Sequence, residues 1–257
     1  MLIDSHCHLN RLKLGDETLD VAISRAKARS VTRIISVATQ FEENSAICQI
    51  AKNHPNVFYS VGVHPSETDG IQPQKPEEIM AFADDDRCVA VGETGLDYYY
   101  NDKASFTKQQ FKFAIHLEAA DKLNKPVIVH TRDAKEDTLA ILKEGKIERF
   151  GGVLHCFTED WDMARCALDM GMYLSFSGIV TFKNAAVVQE VAKKVPSDRI
   201  LVETDAPYLT PVPYRGKPNT PEYVYYVAKF LAELRQEDFD QFCHQTVKNT
   251  EKLFKLA

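Results

Sequence analysis

Two histidines stand one residue apart in "DSHCH", residues 4–8, at the end of a short apolar run that opens with Leu2 and Ile3. In an extended strand side chains alternate between faces, so His6 and His8 point one way and Cys7 the other. Two neutral imidazoles on one face make half of a metal site. Further histidines and carboxylates stand at the ends of other apolar runs: His64 in "GVHP", Glu93 in "GETGLD", His130 in "PVIVHT", His155 in "GVLHCF", and Glu203 with Asp205 in "ILVETD". His54, His116 and His244 fall instead in segments of helical spacing or at their margins. A lone histidine late in a strand is commonly a hydrogen-bonded core residue. A whole set of them gathered with carboxylates is costly to bury without compensating charge, which a metal ion supplies.

Four strands contribute histidines and at least two contribute carboxylates, more ligands than one tetrahedral ion needs. The set suggests two divalent ions, with a central carboxylate such as Glu93 bridging them. Such a pair suits phosphoester cleavage, one ion activating a water and the other stabilising the departing oxygen. Asp205 is placed to ligate an ion, to accept the proton of the attacking water, or both in turn. His64 fits equally well as a substrate contact. Mixed imidazole and carboxylate donors accommodate Mg²⁺, Mn²⁺, Zn²⁺ or Ni²⁺.

The elements that must position these residues follow a repeated rhythm. Apolar runs at 2–8, 33–39, 57–64, 88–97, 126–131, 152–157, 173–178 and 200–205 read as buried strands. Amphipathic segments lie between them, including 17–30, with Leu19, Ile23 and Ala26 on one face, and 106–123, with Phe106, Gln110, Phe113, Leu117 and Ala120. Strand and helix alternate about eight times, which predicts a (β/α)₈ TIM barrel, with additional C-terminal helices near 221–235 and 238–254. In such barrels the chemistry sits at the C-terminal ends of the strands, where the candidate ligands stand. The first strand also lies beside the last, so "HCH" is expected to meet "ETD" across the closing seam. The long proline-rich stretch 206–221 reads as an active-site loop.

The chain has 257 residues, 44% hydrophobic and 26% charged, which suits one globular domain spanning 1–257 and no membrane span. The N-terminus lacks a signal-peptide pattern, and the six cysteines form no CxxC pair, so reduced thiols and a cytosolic location are expected. Cys7 and Cys156 are expected to be buried as small hydrophobes on the far side of their strands. A net charge of −6 argues against a broad nucleic-acid-coating surface but permits local phosphate grip. No obligate protein partner is evident, and a monomer is expected.

The motifs "DSHCHL", "GVHP", "GETGLDYY", "KPVIVHTRDA", "GVLHCFT", "SFSGIVTFKNA", "LVETDAPYL" and "YRGKPN" together resemble the TatD family of metal-dependent deoxyribonucleases within the amidohydrolase superfamily, most closely its bacterial YcfH-like branch. The resemblance spans essentially the whole chain. It implies a barrel, two divalent ions and hydrolysis of phosphodiesters in DNA, typically as a 3′-to-5′ exonuclease on single strands or 3′ ends. Carried over by motif, His6, His8, Glu93 and Asp205 hold one ion and Glu93, His130 and His155 the other, with Glu93 and Asp205 catalytic. His64, Arg132 and Glu203 line the pocket, and Arg215 and Lys217 reach a substrate phosphate.

Arg132, beside His130, and the "RGK" of the long loop are also the basic positions that residue type and place favour for phosphate. Two other function classes stay open on the residues alone: a hydrolase or phosphatase acting on a small molecule at the same site, and a metal-binding module without turnover.

Overall fold

The computed structural model describes residues 1–67, 70, 72–99 and 103–256. In chain order its elements are β1 (Leu2–Cys7), α1 (Leu19–Ala28), β2 (Val31–Val37), α2 (Asn44–Asn53), β3 (Val57–Val61), α3 (Pro76–Met80), β4 (Cys88–Asp97), α4 (Lys103–Leu123), β5 (Val127–Arg132), α5 (Lys135–Glu144), β6 (Gly152–Leu154), α6 (Trp161–Asp169), β7 (Tyr173–Phe176), α7 (Ala186–Lys194), β8 (Ile200–Val202), α8 (Val224–Arg235) and α9 (Phe239–Phe254). The strands follow one another in sequence order, β1 to β8, in a parallel sheet, the order of a (β/α)₈ barrel. Each of the eight predicted strands exists. Strands covered on both faces read as near-continuous apolar runs rather than alternating ones, and every residue of β1 and of β4 is buried.

The chain divides into two compact units, neither of them one continuous segment. The first comprises Met1–Ser36, His155–Trp161 and Leu174–Ala257. In it β1 pairs with β2, and β7 with β8. The predicted meeting of β1 with β8 is made inside this unit: the Ser5 hydroxyl donates to Val202 O (2.9 Å). Helix α9 is capped by Asp238, whose side chain accepts the Gln241 N–H (3.0 Å). On its buried side Asn249 donates to Ser197 O (2.8 Å) and Ile200 O (2.9 Å), tying the helix to the start of β8.

The second unit comprises Val37–Leu154 and Asp162–Tyr173, with β3, β4, β5 and β6 paired in that order. Glycines let β4 approach its neighbours. A Cβ on Gly62 would lie 2.6 Å from the carbonyl carbon of Gly92, and one on Gly95, at φ +131°, would overlap His130 O.

Several strands stop sooner than their apolar runs suggest. β3 ends at Val61, β6 at Leu154 and β8 at Val202, so His64, His155, Glu203 and Asp205 stand just past the strands rather than on them. The backbone there has turned: Cys156 is at φ +43° and Asp205 at φ +55°. Cys156 is accordingly not on the far face of a strand; it is half-buried, with its sulfur 3.1 Å from the Ser177 hydroxyl. Cys7 is fully buried, as expected.

Candidate metal centre

In the first unit the β1–β8 seam continues beyond the strands. The Asp205 N–H donates to His6 O (2.9 Å) and the His8 N–H to Ala206 O (2.8 Å). Asp4, buried in β1, accepts from the Thr204 N–H (2.9 Å) and hydroxyl (2.6 Å), which pins residue 205 opposite residue 6. Burial pushes the Asp4 carboxyl up to about 8, against the Thr204 bonds that favour its charged form. Burial acts on Asp205 in the same direction, but the hydrogen bond from His8 and the neighbouring imidazoles of His8, His6 and His155 outweigh it and hold that carboxyl below the usual range.

Three donor atoms converge at this seam. His6 Nε2 and His8 Nε2 are 3.3 Å apart, His8 Nε2 is 3.2 Å from Asp205 Oδ1, and His6 Nε2 is 3.7 Å from the same oxygen. Donors around a tetrahedral ion with bonds of about 2.1 Å stand about 3.4 Å from one another, so the triangle fits a divalent cation. Beside it, the ring of His155 stacks on that of His6, centroids 3.9 Å apart and 7° from parallel. His155 Nδ1 is 3.3 Å from Glu203 Oε1, which also accepts the Cys156 N–H (2.8 Å). A hydrogen on Nδ1 shared with Glu203 leaves Nε2 as the lone-pair nitrogen of His155, the arrangement in which a carboxylate orients a metal-ligating histidine. The other carboxylate oxygen, Glu203 Oε2, is buried with no hydrogen-bond partner among the described residues, an acceptor that a cation would satisfy. His6, His155 and Glu203 offer ligand atoms within 4.8 Å of one another.

The second unit carries its own cluster. Glu93 Oε1 faces His130 Nδ1 (3.2 Å) and His64 Nε2 (3.3 Å), and the three groups form a further set within 4.8 Å. His130 Nε2 lies 3.1 Å from Asp97 Oδ2. With that hydrogen given to Asp97, Nδ1 is left as a lone pair beside Glu93. His64 has the opposite tautomer. With the Ser66 N–H (3.1 Å) and hydroxyl (2.6 Å) both directed at its Nδ1, the ring hydrogen falls to Nε2, which faces Glu93.

Of the residues that the resemblance assigns to substrate, Glu203 is fully buried behind His155 instead of lining an open surface. Arg132 stacks on the Tyr99 ring at 3.7 Å. Arg215 and Lys217 are exposed on the long loop, against the rings of Phe182 (3.9 Å) and Tyr214 (5.5 Å). Asp4 and Asp97 are absent from the sequence-derived candidates. Strand alternation carried a signal for both: Asp4 shares a face with His6 and His8, and Asp97 lies four positions after Glu93 on one strand.

Comparison with known proteins agrees with this chemistry. A family model described as TatD related DNase matches residues 3–255. The metal-dependent hydrolase YcfH of Escherichia coli (strain K12) is 45% identical over 257 residues, covering 99% of this chain and 96% of its own length. The metal-dependent hydrolase YabD of Bacillus subtilis (strain 168) is 40% identical, with 100% of both chains covered. Among solved structures, the TatD homolog YJJV of Escherichia coli K12 superposes with a TM-score of 0.92 at 30% identity, over 100% of this chain and 98% of that one.

Proposed function

The chain belongs to the TatD related DNase family, and from that premise we propose that it is a metal-dependent hydrolase cleaving phosphodiester bonds in DNA, as a 3′-to-5′ exonuclease on single strands or 3′ ends. The observation that carries the reading is the convergence of His6 Nε2, His8 Nε2 and Asp205 Oδ1 at 3.2 to 3.7 Å. It is supported by the buried carboxylates, Asp97 and Glu203, that orient His130 and His155.

In this reading His6, His8, Glu93 and Asp205 would hold one ion and Glu93, His130 and His155 a second, with Glu93 serving both. Two divalent ions, when bound, bring the pKa of a water toward neutrality and neutralise charge on phosphoryl oxygens. Asp205, held ionised at neutral pH by its imidazole neighbours, takes the proton of the attacking water. His64 offers its Nε2–H and Arg132 its guanidinium to the substrate, while Glu203 acts from behind His155. Arg215 and Lys217 on the long loop grip a substrate phosphate, a local contact compatible with an acidic chain. Residues 1–257 act as one catalytic domain, as a cytosolic monomer.

The test is hydrolysis of 3′-end-labelled and 5′-end-labelled single-stranded DNA by chelated protein restored with Mg²⁺ or Mn²⁺, beside Glu93→Gln. Stepwise shortening from the 3′ end that requires both metal and Glu93 is expected. A protein that binds two ions per chain yet leaves DNA intact would move the assignment to a small-molecule substrate.

A further inference from the structure

Helix α4 buries three polar side chains on one side, Gln109, Lys112 and His116, at the spacing of a single helical face. None is needed to complete an apolar core, and each is expensive to bury unless its donors and acceptors are matched. All three grip backbone at the end of β4 or just past β3. Gln109 accepts from the Asp97 N–H (2.8 Å) and donates to Asp97 O (3.0 Å), on the residue that faces His130. His116 Nε2 accepts the Val63 N–H (3.0 Å). The Lys112 ammonium donates to His64 O (2.8 Å) and Glu67 O (2.8 Å) and lies 3.5 Å from Pro65 O. Burial lowers the Lys112 pKa to about 8, against the attraction of Glu67, so the ammonium is still protonated at neutral pH.

The irregular segment 62–67 has few backbone partners of its own. Asn44 takes both polar groups of Gly62 (3.0 and 3.3 Å), Thr39 O accepts the His64 N–H (2.8 Å), and the Glu67 N–H closes back on His64 O (3.1 Å). Among the described residues, Lys112 is the one side chain that reaches the carbonyls on both sides of Ser66, whose N–H and hydroxyl face His64 Nδ1. We propose that Lys112 is a positioning residue for His64: by clamping the carbonyls of residues 64, 65 and 67 it holds Ser66 where its N–H caps His64 Nδ1, and so keeps the His64 Nε2–H aimed at Glu93. Its kinetic consequence rests on the nuclease reading above; its structural consequence does not.

The two are separated by experiment. With ¹⁵N-histidine-labelled, Mg²⁺-loaded full-length protein, and His64→Gln to assign the signal, wild-type His64 should show a single Nε2–H tautomer. In Lys112→Met, with its circular dichroism and metal content unchanged, the His64 ring nitrogens should move toward the tautomer average. On DNA, Lys112→Met should lower kcat by roughly tenfold or more, since small displacements of a site group are costly. Adding His64→Gln should bring little further loss, because both changes remove one function. Lys112→Gln, which keeps one donating amide, should recover part of both signals, and it carries the same test if the Met variant does not fold. An unchanged His64 spectrum, or losses that multiply in the double variant, overturns the proposal. If wild type cleaves no DNA but the spectrum moves in Lys112→Met, the nuclease reading fails and the positioning role stands.

Discussion

The recurring device at the level of single residues is a histidine backed by a carboxylate. Asp97 stands behind His130 and Glu203 behind His155, each fixing which ring nitrogen keeps its lone pair. Replacing Asp97 by Asn should therefore weaken metal binding on the order of 10- to 100-fold with the fold intact, read by metal titration beside circular dichroism. Unaltered affinity would reduce Asp97 to a structural residue. The ligand types were legible in the sequence because they sit at the ends of apolar runs. The pairing of His155 with Glu203 was not, since it depends on how two turns beyond β6 and β8 set down their side chains, and strand alternation no longer governs once Cys156 and Asp205 adopt positive φ. Asp4 and Asp97 lay within reach of the same alternation argument that found His6 and His8.

Elements show the opposite balance. All eight strands and the long helices were readable from periodicity, and Phe113, Leu117 and Ala120 do form the apolar side of α4. What periodicity misses there is the polar stripe of Gln109, Lys112 and His116, because a hydrophobic pattern counts such residues as solvent-facing while their partners are loop carbonyls and amides distant in sequence. His116 makes this measurable. Burial lowers its pKa from 6.5 to about 3, so the unfolded chain binds the extra proton between those values and the native one does not. Stability is fully present above about pH 6.5 and is lost as pH falls toward 3, by about 1.4 kcal/mol per pH unit from this group. Urea unfolding across that range should show the slope in wild type and a shallower one in His116→Gln, whose amide can take over both contacts of the imidazole, accepting the Val63 N–H (3.0 Å) and donating to Lys112 O (2.7 Å). Equal slopes would place the acid sensitivity elsewhere. On β4, Gly95→Ala meets both a positive φ and the His130 carbonyl, and should cost several kcal/mol in the same assay, on the scale of other severe backbone conflicts.

For the molecule as a whole, each ion that binds only the folded state adds about 2.7 kcal/mol at a concentration one hundred times its dissociation constant. Chelation should lower the melting temperature, and His6→Ala with His8→Ala should abolish one increment while leaving the other partly in place, followed by metal analysis and thermal melts in parallel. Loss of neither ion would remove these two histidines from the ligand set. The barrel class was legible because strand and helix alternate along the entire chain; the division into two units was not, since each gathers segments from separated parts of the sequence. The first unit joins residues about 200 positions apart at Asp4–Thr204 and His6–Asp205. This has a consequence for synthesis. As the polypeptide leaves the ribosome, the histidine pair emerges about 200 residues before the carboxylate that it faces. A message cut short, or a ribosome that stalls before Asp205, yields a product that lacks one corner of the His6–His8–Asp205 triangle, so this cluster closes only after Asp205 has been translated.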